Sequence, residues 1–341
     1  MPVRNEELSL AESVRSVLGQ DYPGELEIVL AVGPSRDRTA AFLERVAASD
    51  RRIIVVPNPT GQRPGGLNAA IKASRHAIVA RVDGHAVLPP GYLRAAVREL
   101  EQTGAASVGG IMAAQGVTPF QQAVAWAMTS PYGVGAARFR TGGHPGSVDS
   151  VCLGVYRRGA IDRVGGYDET CRRAEDWELD HRIRRAGGVI WFQPELRVTY
   201  RPRSSVRALA EQYFNDGRWR RVVARQHSGT NNARYLAPPV AVLATALGAL
   251  ALGALAGVAG LAALISGAAG AWPAAAACGL AVPALYVAGI LGVAAMTARR
   301  MRRSAVAWIP AVLATMHVAW GIGFLTSPRS LLPGTGSSAT G

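Results

Sequence analysis

His76-Ala77-Ile78-Val79-Ala80-Arg81-Val82-Asp83-Gly84-His85 is an apolar run that ends in a carboxylate, a glycine and an imidazole. Residues 76–83 read as a buried strand, and two similar runs precede it, Glu27 to Val32 and Arg52 to Pro57. Helical spacing fills the intervals, from Leu8 to Leu18, from Thr39 to Ala48 and from Gly66 to Ser74. Continuous apolar strands alternating with helices predict an α/β domain over residues 1 to about 200, its parallel sheet covered on both faces. Ligands of such sheets bind outside the strand C-termini. Asp83-Gly84-His85 therefore stands where a ligand would sit.

The remaining composition narrows the class. The 341 residues carry 37 Lys+Arg against 23 Asp+Glu, a formal charge of +14, yet only 18% of the chain is charged and 49% is apolar. A disordered chain needs the opposite balance. Cys152, Cys171 and Cys278 are too few and too widely spaced for a disulfide scaffold or a structural zinc site. Lys72 is the only lysine, so the positive charge is arginine.

That charge is uneven. From Tyr235 to Ala298 no Asp, Glu, Lys or Arg occurs. Three apolar stretches, 236–261, 273–297 and 305–326, each approach the ~20 residues that a bilayer requires. Arg218, Arg220, Arg221 and Arg225 precede the first; Arg299, Arg300, Arg302 and Arg303 separate the second from the third. The loop near residues 267–271 has no charge. The positive-inside rule then predicts a cytosolic N-terminal domain and arginine loop, with the C-terminal tail outside. Ser204 to His227 carries an apolar face (Val206, Leu209, Tyr213, Phe214) beside its arginines and Trp219, which predicts a helix in the membrane interface plane. Anionic lipid head groups fit these flanking arginines better than nucleic acid does. An ordinary surface helix remains the alternative.

Several short motifs carry chemistry. Asp37 in Pro34-Ser35-Arg36-Asp37-Arg38-Thr39 lies where a strand hands over to a helix, the place to grip a base or ribose, although such clusters also serve as N-caps. Gly65-Gly66-Leu67-Asn68-Ala69-Ala70 opens a helix, with Arg63 just ahead; glycines there let backbone approach a phosphate. Asp83 is placed to hold a divalent ion on a diphosphate, since Mg²⁺ takes most of its ligands from phosphate and water. His85 as a further ligand shifts preference towards Mn²⁺; a plain Asp-Gly turn is the alternative. Glu175-Asp176 opens a helix running to Ala186, with Leu179 and Ile183 as its buried stripe. Acidic residues there answer the helix dipole, and Asp176 so held is placed to take a proton from an acceptor hydroxyl.

Taken in order, P-x-R-N-E, S-x-D-x-T, G-L-N-A-A, the Asp-Gly-His strand, E-D-W-E-L-D-x-R and Q-Y-F-x-x-G-R-W (Gln212 to Trp219) resemble the family 2 inverting glycosyltransferases of the GT-A fold. The stretch from Val148 to Arg158 brings the resemblance nearest to the membrane-attached glucosyltransferases of succinoglycan assembly, over residues 2–225. The resemblance implies a GT-A, Rossmann-like mixed sheet at 1–203, an interfacial segment at 204–235, a three-helix transmembrane domain at 236–326 and a short outer tail at 327–341. It places Pro2, Asn5, Glu6 and Asp37 at the nucleotide base and ribose, with Arg63, Asn68 and Asp83 along the nucleotide. Asp83 would face the diphosphate and a Mg²⁺ or Mn²⁺ ion, with His85 where the second Asp of a D-x-D stands. Asp176 would be the catalytic base, and Glu175, Gln212, Arg218 and Trp219 would meet acceptor or diphosphate. Gly33-Pro34 replaces an expected aspartate, and the wide spacing from Gln212 to Arg218 argues against a processive synthase. The implied reaction moves a hexose from a nucleotide-sugar donor to a lipid-linked or glycan acceptor at the cytosolic face of the plasma membrane, for exopolysaccharide or envelope glycan.

Two other readings compete: a polyprenyl-phosphate sugar synthase, and a non-catalytic membrane scaffold with a degenerate transferase domain. Leu332-Pro333-Gly334-Thr335-Gly336 matches a surface-sorting signal, but no apolar helix and basic tail follow it. In the resembling family an apolar strand directly precedes the P-x-x-N-E element, whereas here Pro2 follows only Met1. The expectation is that this strand is missing and that the native chain has about ten further residues upstream, since an absent inner strand leaves its neighbours unpaired.

Overall fold

The computed structural model describes residues 1–134, 137–230, 233–266 and 272–332. In chain order they form β1 (Pro2–Val3), α1 (Leu10–Leu18), β2 (Ile28–Val32), α2 (Thr39–Ser49), β3 (Ile53–Pro57), α3 (Arg63–Ala73), β4 (Ile78–Ala80), α4 (Tyr92–Thr103) and β5 (Ser107–Ala114). Then follow α5 (Pro119–Thr129), α6 (Pro131–Val134), α7 (Arg138–Thr141), β6 (Gly146–Ser147), β7 (Cys152–Arg157), α8 (Arg158–Arg163), α9 (Glu175–Arg185) and β8 (Ile190–Tyr200). The last helices are α10 (Val206–Gln226), α11 (Ala233–Ser266), α12 (Trp272–Thr297), α13 (Arg303–Val306) and α14 (Ile309–Leu325). Contacts divide the chain into two units, the first holding residues 1–115, 128–130 and 136–201, the second 116–127, 131–135 and 202–341.

The first unit is an α/β domain with a mixed rather than wholly parallel strand arrangement. β1, β2 and β3 are parallel, while β4, β7, β5, β8 and β6 form a second set in which β5 and β8 are parallel and the other pairs antiparallel. Helix spacing does its expected work. Leu10, Val14 and Val17 bury one stripe of α1, and Leu93, Ala96 and Leu100 one stripe of α4, in a core shared with Leu30, Val108 and Val155. Full burial of each such Leu or Val contributes about 1.5–3 kcal/mol.

Two strand features bear on the expectations. The chain begins in a two-residue strand: the Met1 ammonium donates to the Val29 carbonyl at 2.8 Å, the Ala31 amide to Met1 at 2.8 Å, and Pro2–Val3 pair with Ala31–Val32. It reaches only the C-terminal end of β2. Among the described residues no strand pairs with both β2 and β4, and a cavity of about 440 Å³ lies there, lined by Met1, Ile28, Val29, Leu67, Ile78 and Ala80 among others. The third strand is also shorter than 76–83. Its ladder on β7 ends at Ala80, after which the Arg81 amide donates to Gly154 at 3.0 Å while its side chain turns inward to carboxylates.

In the second unit α10 packs on α14. The Ser205 hydroxyl caps α10 by accepting from the Ala208 amide at 3.2 Å. Leu209, Tyr213, Trp219, Val222 and Val223 are buried along it. A Cβ on Gly217 would stand 2.2 Å from the Trp320 carbonyl, and one on Gly323 would stand 2.0 Å from that of Phe214, so both glycines permit backbone contact. Trp219, placed by the sequence in a membrane interface, is inside this packing. The arginines are engaged too: Arg218 lies over Phe214, Arg221 over Phe324, and Arg225 donates to Ser327 at 3.0 Å. Tyr286 of α12 and His317 of α14 share a 3.0 Å hydrogen bond.

The three apolar stretches fall in α11, α12 and α13–α14. Among the described residues one helical segment, Arg303–Leu325, is long and apolar enough to cross a membrane; Tyr235–Ala251 and Pro283–Thr297 are shorter apolar stretches. The uncharged loop at 267–271 and Pro333 to Gly336 of the sorting-signal match lie outside the described residues.

Gly323→Leu should drive α10 from α14 and cost about 1–3 kcal/mol or more, because backbone rather than a pliable side chain meets the new atoms. Gly289→Leu, with nothing within 4 Å of its Cβ, is the control. Equal melting temperatures for the two variants in detergent would refute the close approach.

Candidate active site

The site begins where β4 ends. Arg81 is 5% exposed, and its guanidinium turns towards three carboxylates. Nε donates to Asp83 Oδ1 at 3.1 Å, Nη2 to Glu175 Oε1 at 3.1 Å, and Nη1 contacts Asp176 Oδ1. Arg63, at the start of α3, adds a 3.0 Å bond from Nη1 to Glu175 Oε1. Burial alone would raise the Asp83 carboxyl; the Arg81 and Arg63 guanidiniums outweigh it and hold that carboxyl well below the usual range. The same contest lowers Glu175. Glu175 is buried at 4%, whereas the Asp176 side chain keeps 22% exposure and so remains open to a reactant.

Helix α9 is fixed on both faces. Leu179 and Ile183 are buried as the spacing predicts. Arg182 binds Glu178 at 2.6 Å and donates to the carbonyls of Val164 and Gly166 at 2.5 and 2.7 Å, so it holds the preceding loop as well as the end of its own helix. Asp180, one turn beyond Asp176, is fully buried and accepts from the Val151 amide at 3.1 Å and the Tyr156 hydroxyl at 3.2 Å. Burial pushes its carboxyl up to about 7, against these hydrogen bonds.

A second group forms between the N-terminal motif and the β2–α2 turn. Asn5 Oδ1 accepts from the Arg36 amide at 2.8 Å, and its own amide donates to Ser35 Oγ at 3.1 Å. The Glu6 amide donates to Thr39 Oγ1 at 2.9 Å, and the Glu6 carboxylate binds His85 Nδ1 at 2.8 Å. That bond raises the imidazole above its ordinary value against burial, and, also against burial, lowers Glu6. Asn5 and Ala174 take left-handed backbone conformations, φ 54° and 60°, immediately before Glu6 and Glu175. Non-glycine residues in this region store strain of about 1–3 kcal/mol, which concentrates at functional sites.

The structure thus gathers Arg63, Asp83, Glu175 and Asp176 around Arg81, and Asn5, Glu6 and His85 beside the turn that carries Asp37. Pro2 lies in β1. Asp37 has a capping role: its oxygens accept from the Thr39 and Glu7 amides, both at 3.1 Å. Asn68 uses its amide on the loop before α9, donating to Tyr167 and Glu169 and accepting from the Tyr167 amide at 2.8 Å. Gln212, Arg218 and Trp219 belong to the second unit, where Gln212 accepts from Arg203 Nε at 3.0 Å. Sequence reading missed Arg81 and Asp180. An arginine inside an apolar strand, and an acid four residues after Asp176 on the buried side of α9, were the available signals.

Among the described residues no three His, Cys, Asp or Glu side chains are grouped to cage a metal ion. A closed protein site is therefore excluded among them. An ion of the other kind takes most of its shell from diphosphate and water; Asp83, held as a carboxylate beside Arg81, has the oxygen chemistry for it, while His85 Nδ1 is engaged by Glu6 at 2.8 Å.

Residues 1–165 match the family profile described as Glycosyl transferase family 2. The chain is 31% identical over 252 residues to the succinoglycan biosynthesis protein ExoA of Rhizobium meliloti strain 1021, spanning 73% of this chain and 76% of that one. Among solved structures, the mannosyltransferase PcManGT of Pyrobaculum calidifontis, in complex with GDP-Man and Mn²⁺, superposes with TM-score 0.58 at 18% identity, over 95% of this chain and 85% of that one. S. aureus TarS with UDP gives TM-score 0.48 at 18% identity, over 69% of this chain and 66% of that one, short of two thirds of its length. The fold of the first unit is accordingly GT-A.

Asp180 makes stability depend on pH in a known direction. Between its unfolded value of 3.8 and its folded value of about 7 the native state keeps a proton that the unfolded chain has lost, so stability falls as pH rises through that window. Asp180→Asn should remove this slope and gain on the wild type from pH 4 towards pH 7, with no further gain above. Melting curves of the two proteins that stay parallel across the window would contradict it.

Proposed function

Because the chain belongs to glycosyl transferase family 2, we propose that it moves a sugar from a nucleotide-sugar donor to a lipid-linked saccharide, inverting the anomeric centre, in the assembly of an exopolysaccharide or envelope glycan. The observation that carries this reading is the pairing of Asp83, at the end of a strand, with the partly exposed Asp176, at the mouth of α9, through one buried guanidinium. Donor diphosphate and acceptor hydroxyl require two such poles at a fixed separation. The likeness to the succinoglycan biosynthesis protein ExoA supports the polysaccharide assignment.

In this mechanism Asp176 accepts the proton of the acceptor hydroxyl as its oxygen attacks the anomeric carbon. The bond from that carbon to the diphosphate oxygen breaks on the opposite face, and the nucleoside diphosphate leaves with the electron pair. Asn5, Glu6 and Asp37 border the nucleoside side. A Mg²⁺ or Mn²⁺ ion, held at Asp83 with His85 beside it, would supply counter-charge to the leaving diphosphate. Arg63 stands on the same side with its charge already directed at Glu175.

The membrane reading belongs to the same proposal. α11, α12 and the Arg303–Leu325 segment serve as three spans, with arginines before the first and between the last two. The catalytic unit and the Arg299–Arg303 loop then face the cytosol. A cysteine introduced at Ser304 should resist an impermeant thiol reagent on intact cells and react after permeabilisation. Reaction without permeabilisation would reverse the topology.

A panel of labelled UDP-glucose, UDP-galactose and GDP-mannose incubated with membranes containing the protein tests the transfer, read in the lipid extract. Asp176→Asn should lower that transfer by about 10²–10⁴-fold with nucleotide binding retained, since the amide keeps the shape but accepts no proton. Wild-type turnover in this variant would point to a phosphate acceptor, which needs no base.

A further inference from the structure

Arg81 takes no part in the mechanism above, yet the site is organised on it. Its side chain is 4% exposed. Its backbone amide is tied to Gly154 of β7 at 3.0 Å, so the guanidinium hangs from a fixed point. From there it meets Asp83 two residues on, and Glu175 and Asp176 at the head of α9, ninety-odd positions away in sequence. Among the described residues the other ionisable groups that face it include Arg63 of α3, Tyr167 before α9, Cys152 and Tyr156 of β7 and the Met1 ammonium. None of these can replace it. Arg63 pairs directly with Glu175 and acts on Asp83 through its charge without an ion-pair contact, and the Tyr167 phenol and Cys152 thiol are pushed up by burial and stay neutral.

The geometry needs the shape of arginine as well as its charge. A planar fork presents donors in three directions from one rigid group, whereas an ammonium is a single point charge. We propose that Arg81 is a positioning residue of the transfer reaction, the cation that, among the described residues, fixes the strand-end aspartate and the helix-mouth base in a single geometry. The proposal rests on the reading of Asp176 as base. Arg81 is buried, so it acts through Asp83 and Asp176 and not by touching substrate. It keeps the leaving-group pole and the proton-accepting pole at one separation, and a misplacement of about 1 Å at such a site costs about 10²-fold in rate.

The test uses full-length protein in membranes, with labelled UDP-glucose as first probe and the other two donors of the panel in turn. Arg81→Lys should lower kcat by about 10²-fold, while the donor KM stays within about threefold and the melting transition is kept. Added to Asp176→Asn, it should cause no further loss, because residues that act as a unit are not additive. If lysine does not support folding, Arg81→Met combined with Glu175→Gln, which removes one carboxylate along with the cation, carries the same comparison of kcat with KM. A purely structural arginine would lower the folded fraction and leave kcat per folded molecule unchanged. That result overturns the proposal, as does a multiplied loss in the Asp176→Asn background. The underlying reading fails separately: wild-type turnover in Asp176→Asn overturns the base assignment, whereas an inactive Asp176→Asn beside a fully active Arg81→Lys overturns only the role of Arg81.

Discussion

A guanidinium buried among carboxylates is the constraint on which the catalytic unit depends. Asp83, Glu175 and Asp176 converge where α9 meets the end of β4, Glu175 buried and the other two largely so, and Arg81 and Arg63 answer their charges. Removing one partner of such a cluster typically costs about 3–5 kcal/mol, because the remaining charge stays buried and unanswered. Arg81 stays tied to β7 through its amide at Gly154 while its side chain turns inward, and the chain runs on through Val82 to Asp83.

Other features follow from holding α9 in place. Asn68 and Arg182 both spend their hydrogen bonds on the 164–169 loop that leads into the helix. Asp180 secures the opposite side to Val151 and Tyr156. Ala174, in a left-handed conformation, makes the sharp entry that sets Glu175 inward and leaves Asp176 partly open. The cost in strain and in a buried carboxyl raised to about 7 is a cost in stability, incurred where chemistry needs rigid placement.

In the second unit the governing constraint is different. The α10–α14 contact is backbone against backbone at Gly217 and Gly323, where dispersion and close fit replace charge. Aromatic and guanidinium groups then stack along the seam, Arg218 on Phe214 and Arg221 on Phe324. An arginine-rich helix can therefore bury its tryptophan and still show a strongly basic sequence.

Local pattern alone determined a good deal of this protein. Apolar runs placed β2 and β3 within a residue or so, helical spacing gave α1 to within two residues and the buried stripe of α9, and the ordered motifs named the family through Asp37, Asp83 and Glu175-Asp176. Those signals are periodic or contiguous, so a chain read in one dimension contains them. Partnership is not contiguous. That Asp37 accepts from the Thr39 and Glu7 amides, that Asn68 bonds the loop before α9 and that Trp219 is buried depend on what folding brought alongside. The same holds for Arg81, which looks like an interruption in a strand until Glu175 and Asp176 arrive from the far side of the domain. Charge and hydrogen-bond energies depend on distance and burial, and these are properties of the folded chain.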